Sequence, residues 1–161
     1  MRSLIALIAC AASLGLVNYS IFAKERLLAT GAVVLLELAP VDPRSLMQGD
    51  YMALRFKMAN DAGSAVRGTQ SESANGRIVA ALDERGVAAY RRLHDGQPVA
   101  SNEVLLRYRM REGEMKFATN AFFFQEGTAQ RYQGAGYGEF RVAPNGELLL
   151  TGLRDKDLKP L

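Results

Sequence analysis

Two patterns of hydrophobic positions divide this chain. From Ser3 to Phe22 it reads SLIALIACAASLGLVNYSIF, without one charged side chain. A helix needs about 20 apolar residues to cross a hydrocarbon core of about 30 Å, so the segment predicts one transmembrane helix. Beyond Lys24 the apolar residues fall into short runs, often at alternate positions, broken by Gly, Pro, Asn and Asp. That is the period and punctuation of strands.

The runs can be followed in order. Ala32 to Leu38 (AVVLLEL) reads as a strand. Pro40 and Pro43 end it, because neither can donate to a ladder. From Gly49 to Met58 a second strand is expected, with Met52, Leu54, Phe56 and Met58 on one face and Tyr51, Ala53, Arg55 and Lys57 on the other. Asn60 to Asn75 has almost no bulky apolar residue and reads as a loop or a partly helical excursion. Arg77–Asp83 and Val87–Arg92 flank the hairpin signal Glu84-Arg85-Gly86.

Val104 to Arg111 alternates strictly, so Leu105, Arg107, Arg109 and Arg111 share the outer face. Lys116 to Gln125 contains Phe122-Phe123-Phe124. Consecutive strand residues cannot all face one core, so one ring points outward. Ala129 to Tyr132 begins a return strand. Gly138–Ala143 and Glu147–Leu153 flank Asn145-Gly146, a type I′ hairpin signal. Asp155 to Leu161 reads as a polar tail.

These runs predict a mostly β fold. The expected architecture is an antiparallel sandwich or partly open barrel of seven to eight strands, preceded by one N-terminal transmembrane helix. Residues 1–26 form the membrane anchor and residues 27–161 a β-rich extracytoplasmic domain, of about 135 residues and large enough for its own core.

The N-terminus admits three readings. An uncleaved anchor fits best, because the apolar run exceeds the 7–15 residues of a signal peptide core and no small-residue cleavage site follows it. A cleaved signal is the second reading. The third is a lipoprotein, from the loose box Leu7-Ile8-Ala9-Cys10, but the chain stays apolar after Cys10. Arg2 on one side and Lys24 with Arg26 on the other nearly balance the positive-inside count. The short N-terminal tail places the domain in the periplasm, anchored in a bacterial inner membrane through residues 3–22.

Charge and composition narrow the chemistry. Twenty basic and 17 acidic side chains give a mildly basic chain, which points to no nucleic-acid partner. Cys10 is the single cysteine and lies inside the apolar segment, so the domain has no disulfide framework and no thiolate metal site. His94 is the single histidine, which makes a zinc site or a Ser-His-Asp triad improbable. No cofactor is expected. The glycines of Gly134-Ala135-Gly136-Tyr137-Gly138 precede a strand, not a helix, so they allow a bulge or a close backbone approach instead of binding a nucleotide.

Some side chains invite a functional reading beside a plainer one. Asp50 after Gly49 could be a base or hold a cation, or could simply bond turn N–H groups. Arg107, Arg109 and Arg111 could meet lipid phosphates or an acidic partner, or be a solvated face balanced by Glu103, Glu112 and Glu114. Asp42, Asp50, Glu126 and Glu139 could converge as an acid–base set, although spacing does not bring them together.

Val41-Asp42-Pro43-Arg44 followed by Gly49-Asp50-Tyr51-Met52-Ala53-Leu54-Arg55-Phe56 resembles the signature of the bacterial GDYXXLXY protein family. Gly49, Asp50, Tyr51 and Leu54 match its letters, and Phe56 stands where the motif has Tyr. Phe122–Gly127 and Tyr137-Gly138-Glu139-Phe140-Arg141-Val142 are also similar to the family. The resemblance implies a membrane-anchored envelope protein and no particular activity. Members often lie near genes for multi-spanning membrane proteins, which implies such a partner.

The leading expectation is therefore an accessory protein whose β domain binds a multi-spanning membrane protein, with no catalytic residue assigned. Candidate binding residues are Asp42, Arg44, Asp50, Tyr51, Arg55, Glu126, Tyr137 and Glu139. The alternatives are a module for a small-molecule ligand or envelope polymer, and an enzyme using Asp50, Tyr51 and Glu126.

Overall fold

The computed structural model describes residues 2–39, 47–48, 51–67 and 75–161. Asp42, Arg44, Gly49 and Asp50, and the prolines at 40 and 43, lie outside the described residues. Helix α1 runs from Arg2 to Thr30. From Ser3 to Thr30 it is long and apolar enough to cross a membrane. Strands β1 (Ala32–Glu37), β2 (Met47–Gln48) and β3 (Tyr51–Ala53) follow, then helix α2 (Lys57–Arg67). The rest is β4 (Asn75–Leu82), β5 (Ala88–Leu93), β6 (Glu103–Arg111), β7 (Glu114–Lys116), β8 (Ala121–Phe123), the single turn α3 (Ala129–Tyr132), β9 (Ala135–Val142) and β10 (Leu148–Asp155).

The fold is mostly β and antiparallel, as the alternation predicts. The sheet orders are β1-β9-β10, β2-β3-β8 and β5-β4-β6-β7. Strands of two or three residues, such as β2, β3, β7 and β8, carry the count past the expected seven or eight. All three sheets contribute to one apolar core. Val34, Leu36, Phe140 and Val142 come from the first sheet, Met52 from the second, and Ile78, Ala80, Leu106 and Tyr108 from the third. Backbone bonds tie the sheets together: Leu35 N–H donates to Gly86 O, and Arg107 N–H donates to Gly146 O.

Four local expectations change. First, the strand expected through Met58 stops early, and Lys57 starts a helix. The apolar face survives the change, since Met52, Leu54, Phe56 and Met58 are all buried. Within α2, Met58, Ala62 and Val66 recur every four residues and are buried, which is the stripe of a helix packed on a core. Small residues between those three hide the pattern in the sequence. Second, Ala129–Tyr132 is helical, with the Tyr132 ring stacked on Phe124 at 5.3 Å and edge-on to Phe122 at 5.1 Å. Third, the C-terminal tail folds back: Asp155 Oδ1 accepts from Asp157 N and Lys159 N, and Leu161 N–H donates to Leu153 O.

The fourth change concerns turn chemistry. A type I′ turn needs positive φ at both central residues. At the β9–β10 hairpin only Gly146 has it, at φ 85°, so Asn145-Gly146 is not that turn. Gly146 N–H donates to Ala143 O and Ala143 N–H donates to Glu147 O, the pattern of a type I turn closed by a left-handed glycine. Asp83–Val87 repeats it, with Gly86 at φ 79°. Asp83 Oδ1 accepts from Val87 N and Arg85 N at 2.8 and 2.9 Å. These donors, Val87 first, hold its carboxyl below the usual value. The two adjacent positive-φ residues of a two-residue hairpin are Glu112 (φ 56°) and Gly113 (φ 73°), between β6 and β7.

Candidate functional site

The described part of the motif separates by burial. Leu54 is 1% and Phe56 2% exposed. The Phe56 ring meets Phe117 and Phe140 edge-on at 6.1 and 5.5 Å. A Cβ on Gly138 would stand 3.1 Å from both the Phe56 and Phe140 rings, so this glycine provides the close approach expected of it. The departure from Tyr to Phe at position 56 spares the core a hydroxyl that would need a partner.

Tyr51 is half-buried on β3 and lies opposite Phe123 of β8 in the ladder. Their ring centroids are 5.9 Å apart. Phe123 is the outward ring of the three phenylalanines and is 75% exposed. Phe122 and Phe124 instead pack against the core. Outside α1, Phe123 is the most exposed large apolar side chain among the described residues, and aromatic side chains are enriched at contact surfaces.

Arg55 is also exposed. Its guanidinium stands 3.9 Å from Glu114, while its carbonyl accepts from Ala39 N. A cleft lined by Arg55, Asn60, Glu112, Glu114 and Asn120 opens beside it. Glu126 is exposed in the turn after β8 and has no hydrogen bond or ion pair among the described residues.

Tyr137 and Glu139 lie in a different sheet. In register, Tyr137 sits between Glu37 of β1 and Arg154 of β10, and Glu139 between Leu35 and Gly152. Glu139 accepts from Arg154 Nε at 2.5 Å, and Thr151 donates to its carbonyl. Glu139 is thus committed to joining β9 to β10. No hydrogen bond or ion pair joins Arg55 or Glu126 to Tyr137 or Glu139 among the described residues. The expected binding residues therefore fall into two groups. Among the described residues, no cluster of three His, Cys, Asp or Glu could hold a metal ion.

One arrangement escaped sequence reasoning. Arg77 of β4 faces Arg107 of β6 directly, and Arg109 of β6 faces Lys116 of β7. Two of the three glutamates expected to balance the arginines are turned elsewhere, Glu103 toward Arg92 and Glu114 toward Arg55, and Glu112 lines the cleft beside Arg55. Lys24, near the end of α1, pairs with Glu147 beside this row. Alternation within β6 reveals the arginines, but only strand pairing adds Arg77 and Lys116, and only helix docking adds Lys24.

A membrane-length apolar helix leading into an antiparallel β domain defines the class. The family model described as GDYXXLXY protein matches residues 13–153, and the chain belongs to this family. No curated protein and no solved structure matches it.

Proposed function

We propose that this is a single-pass envelope accessory protein of the bacterial inner membrane, whose β domain docks onto a multi-spanning membrane protein. Residues 1–26 form the anchor, and residues 27–161 form a domain on the periplasmic side. The contact surface centres on Tyr51, Phe123 and Arg55, and the neighbouring Asp42, Arg44 and Asp50 belong to the same segment of chain.

The observation that carries this reading is the Phe123 ring, 75% exposed against Tyr51. Leaving so much aromatic surface in water gains nothing for an isolated domain, and burying it against a partner supplies binding energy. A membrane-length helix confines the domain near membrane partners. Confinement also raises their effective concentration, so a modest surface suffices.

The test is affinity purification of the tagged full chain from native membranes in mild detergent. A multi-spanning protein should co-purify in fixed ratio and be lost from the Tyr51→Ala/Phe123→Ala variant, with circular dichroism unchanged. Equal recovery with the variant would remove these residues from the interface.

A further inference from the structure

We propose that the cleft at the foot of α1 binds the phosphate of an anionic phospholipid headgroup, through Arg107 and Arg109. The cleft measures about 400 Å³ and is lined by those two arginines with Lys24, Thr119, Glu147 and Leu148–Leu150. This inference rests on α1 spanning the membrane.

Position comes first. The uncharged run from Ser3 to Ala23 rises about 31 Å as a helix at 1.5 Å per residue, the thickness of a hydrocarbon core. Lys24 is the next residue, so it stands at headgroup level. The helix does not leave the domain there. Leu27 is buried, Arg141 donates to Gly31 O at 3.1 Å, and Lys24 pairs with Glu147 on the β9–β10 hairpin. These contacts hold the cleft against the interface.

Charge comes second. Lys24 answers Glu147, the one carboxylate among the described residues that line the cleft, which leaves Arg107 and Arg109 for a ligand. Arg109 is steadied by a bond to Ala118 O at 3.0 Å. Neither arginine has a carboxylate within ion-pair distance among the described residues. Both face further cations across the ladders, Arg77 and Lys116. Like charges directly opposite destabilise a sheet. A bound phosphate relieves that repulsion, and guanidinium groups match phosphate geometry. Leu149 and Leu150 offer an apolar wall for the first methylenes of the lipid's acyl chains.

The experiment uses the full chain in a zwitterionic detergent, its intact mass confirming that α1 is present. Tm is followed against short-chain phosphatidylglycerol, short-chain phosphatidylcholine and inorganic phosphate. Phosphatidylglycerol should raise Tm in a saturable manner that high salt weakens, and the other two should not. Arg107→Gln/Arg109→Gln should bind phosphatidylglycerol about thirtyfold more weakly, the expected loss for two interfacial cations. With no lipid present, its Tm should equal or exceed that of the parent.

Equal shifts with phosphatidylcholine, or an undiminished shift in the variant, would overturn the proposal. A shift with inorganic phosphate equal to that with the lipid would assign the cleft to free phosphate and overturn the lipid reading. A chain purified from native membranes without α1 would sink the anchor itself, and with it this site. That failure is read from the mass and not from Tm.

Discussion

Gly76 lies directly across the β4–β6 ladder from Tyr108, and the tyrosine ring occupies the place a side chain would take. A Cβ at Gly76 would stand 2.6 Å from the hydroxyl oxygen and 2.7 Å from Cζ. Tyr108 is itself buried, and that burial raises its phenol above the ordinary value. A methyl group at position 76 must push this buried ring aside. Gly76→Ala should therefore cost about 1–3 kcal/mol, the usual penalty for overpacking. Urea denaturation should show a lower midpoint with an unchanged slope.

Phe56 of the motif and Phe123, the partner of its Tyr51, perform different jobs, and substitutions should separate them. Phe56→Ala empties a site between Phe117 and Phe140 and should cost about 3–5 kcal/mol. Phe123→Ala removes a ring that is 75% exposed and should change stability by less than about 0.5 kcal/mol. Thermal unfolding of the two variants side by side checks this. A large loss with Phe123→Ala would make the outward ring structural.

Glu112 holds a left-handed conformation, with φ 56°, in the two-residue turn before Gly113. Side chains other than Asn, Asp and Gly adopt it at a cost of about 1 kcal/mol. Glu112→Asn suits the turn type and should stabilise the domain by up to about 1 kcal/mol. Chemical denaturation should move to a higher midpoint.

Asp83 should make the β4–β5 hairpin sensitive to acid. Its folded carboxyl lies below the ordinary value of 3.8, chiefly through the Val87 N–H. A depressed carboxyl contributes stability above its unfolded value and loses it as pH falls through the folded one. Protection of the Arg85 and Val87 amides from hydrogen exchange, corrected for intrinsic rates, should hold at pH 5 and fall below pH 4. Asp83→Asn should lack this step.

Alternation made β6 legible, because it has one buried face and a period of two; β1 was legible as a short apolar run, with three consecutive residues buried, and hairpin signals marked β4–β5 and β9–β10. The membrane-length helix was legible from its absence of charge. Helix α2 was legible only in part, as a partly helical excursion from Asn60, since Ala62 and the small residues around it give a weak hydrophobic signal; its first residues, Lys57 and Met58, continue the alternation expected of a strand. The turn type at Asn145-Gly146 was misjudged because the dipeptide suits more than one turn. Tyr51 was legible as a candidate, while its pairing with Phe123 depends on a ladder between segments 72 positions apart. The Arg77–Arg107 and Arg109–Lys116 oppositions are likewise properties of register, which local composition does not encode.

The proposed contact joins the surface around Phe123 to a multi-spanning membrane protein. A photo-crosslinking phenylalanine analogue at position 123 of the full chain, irradiated in native membranes, tests it most directly. The same analogue at exposed Arg91 on β5 serves as the control. One dominant adduct to a multi-spanning protein should form from position 123 and be absent from position 91. Adducts equally strong from both positions, or none from position 123, would contradict the proposed contact.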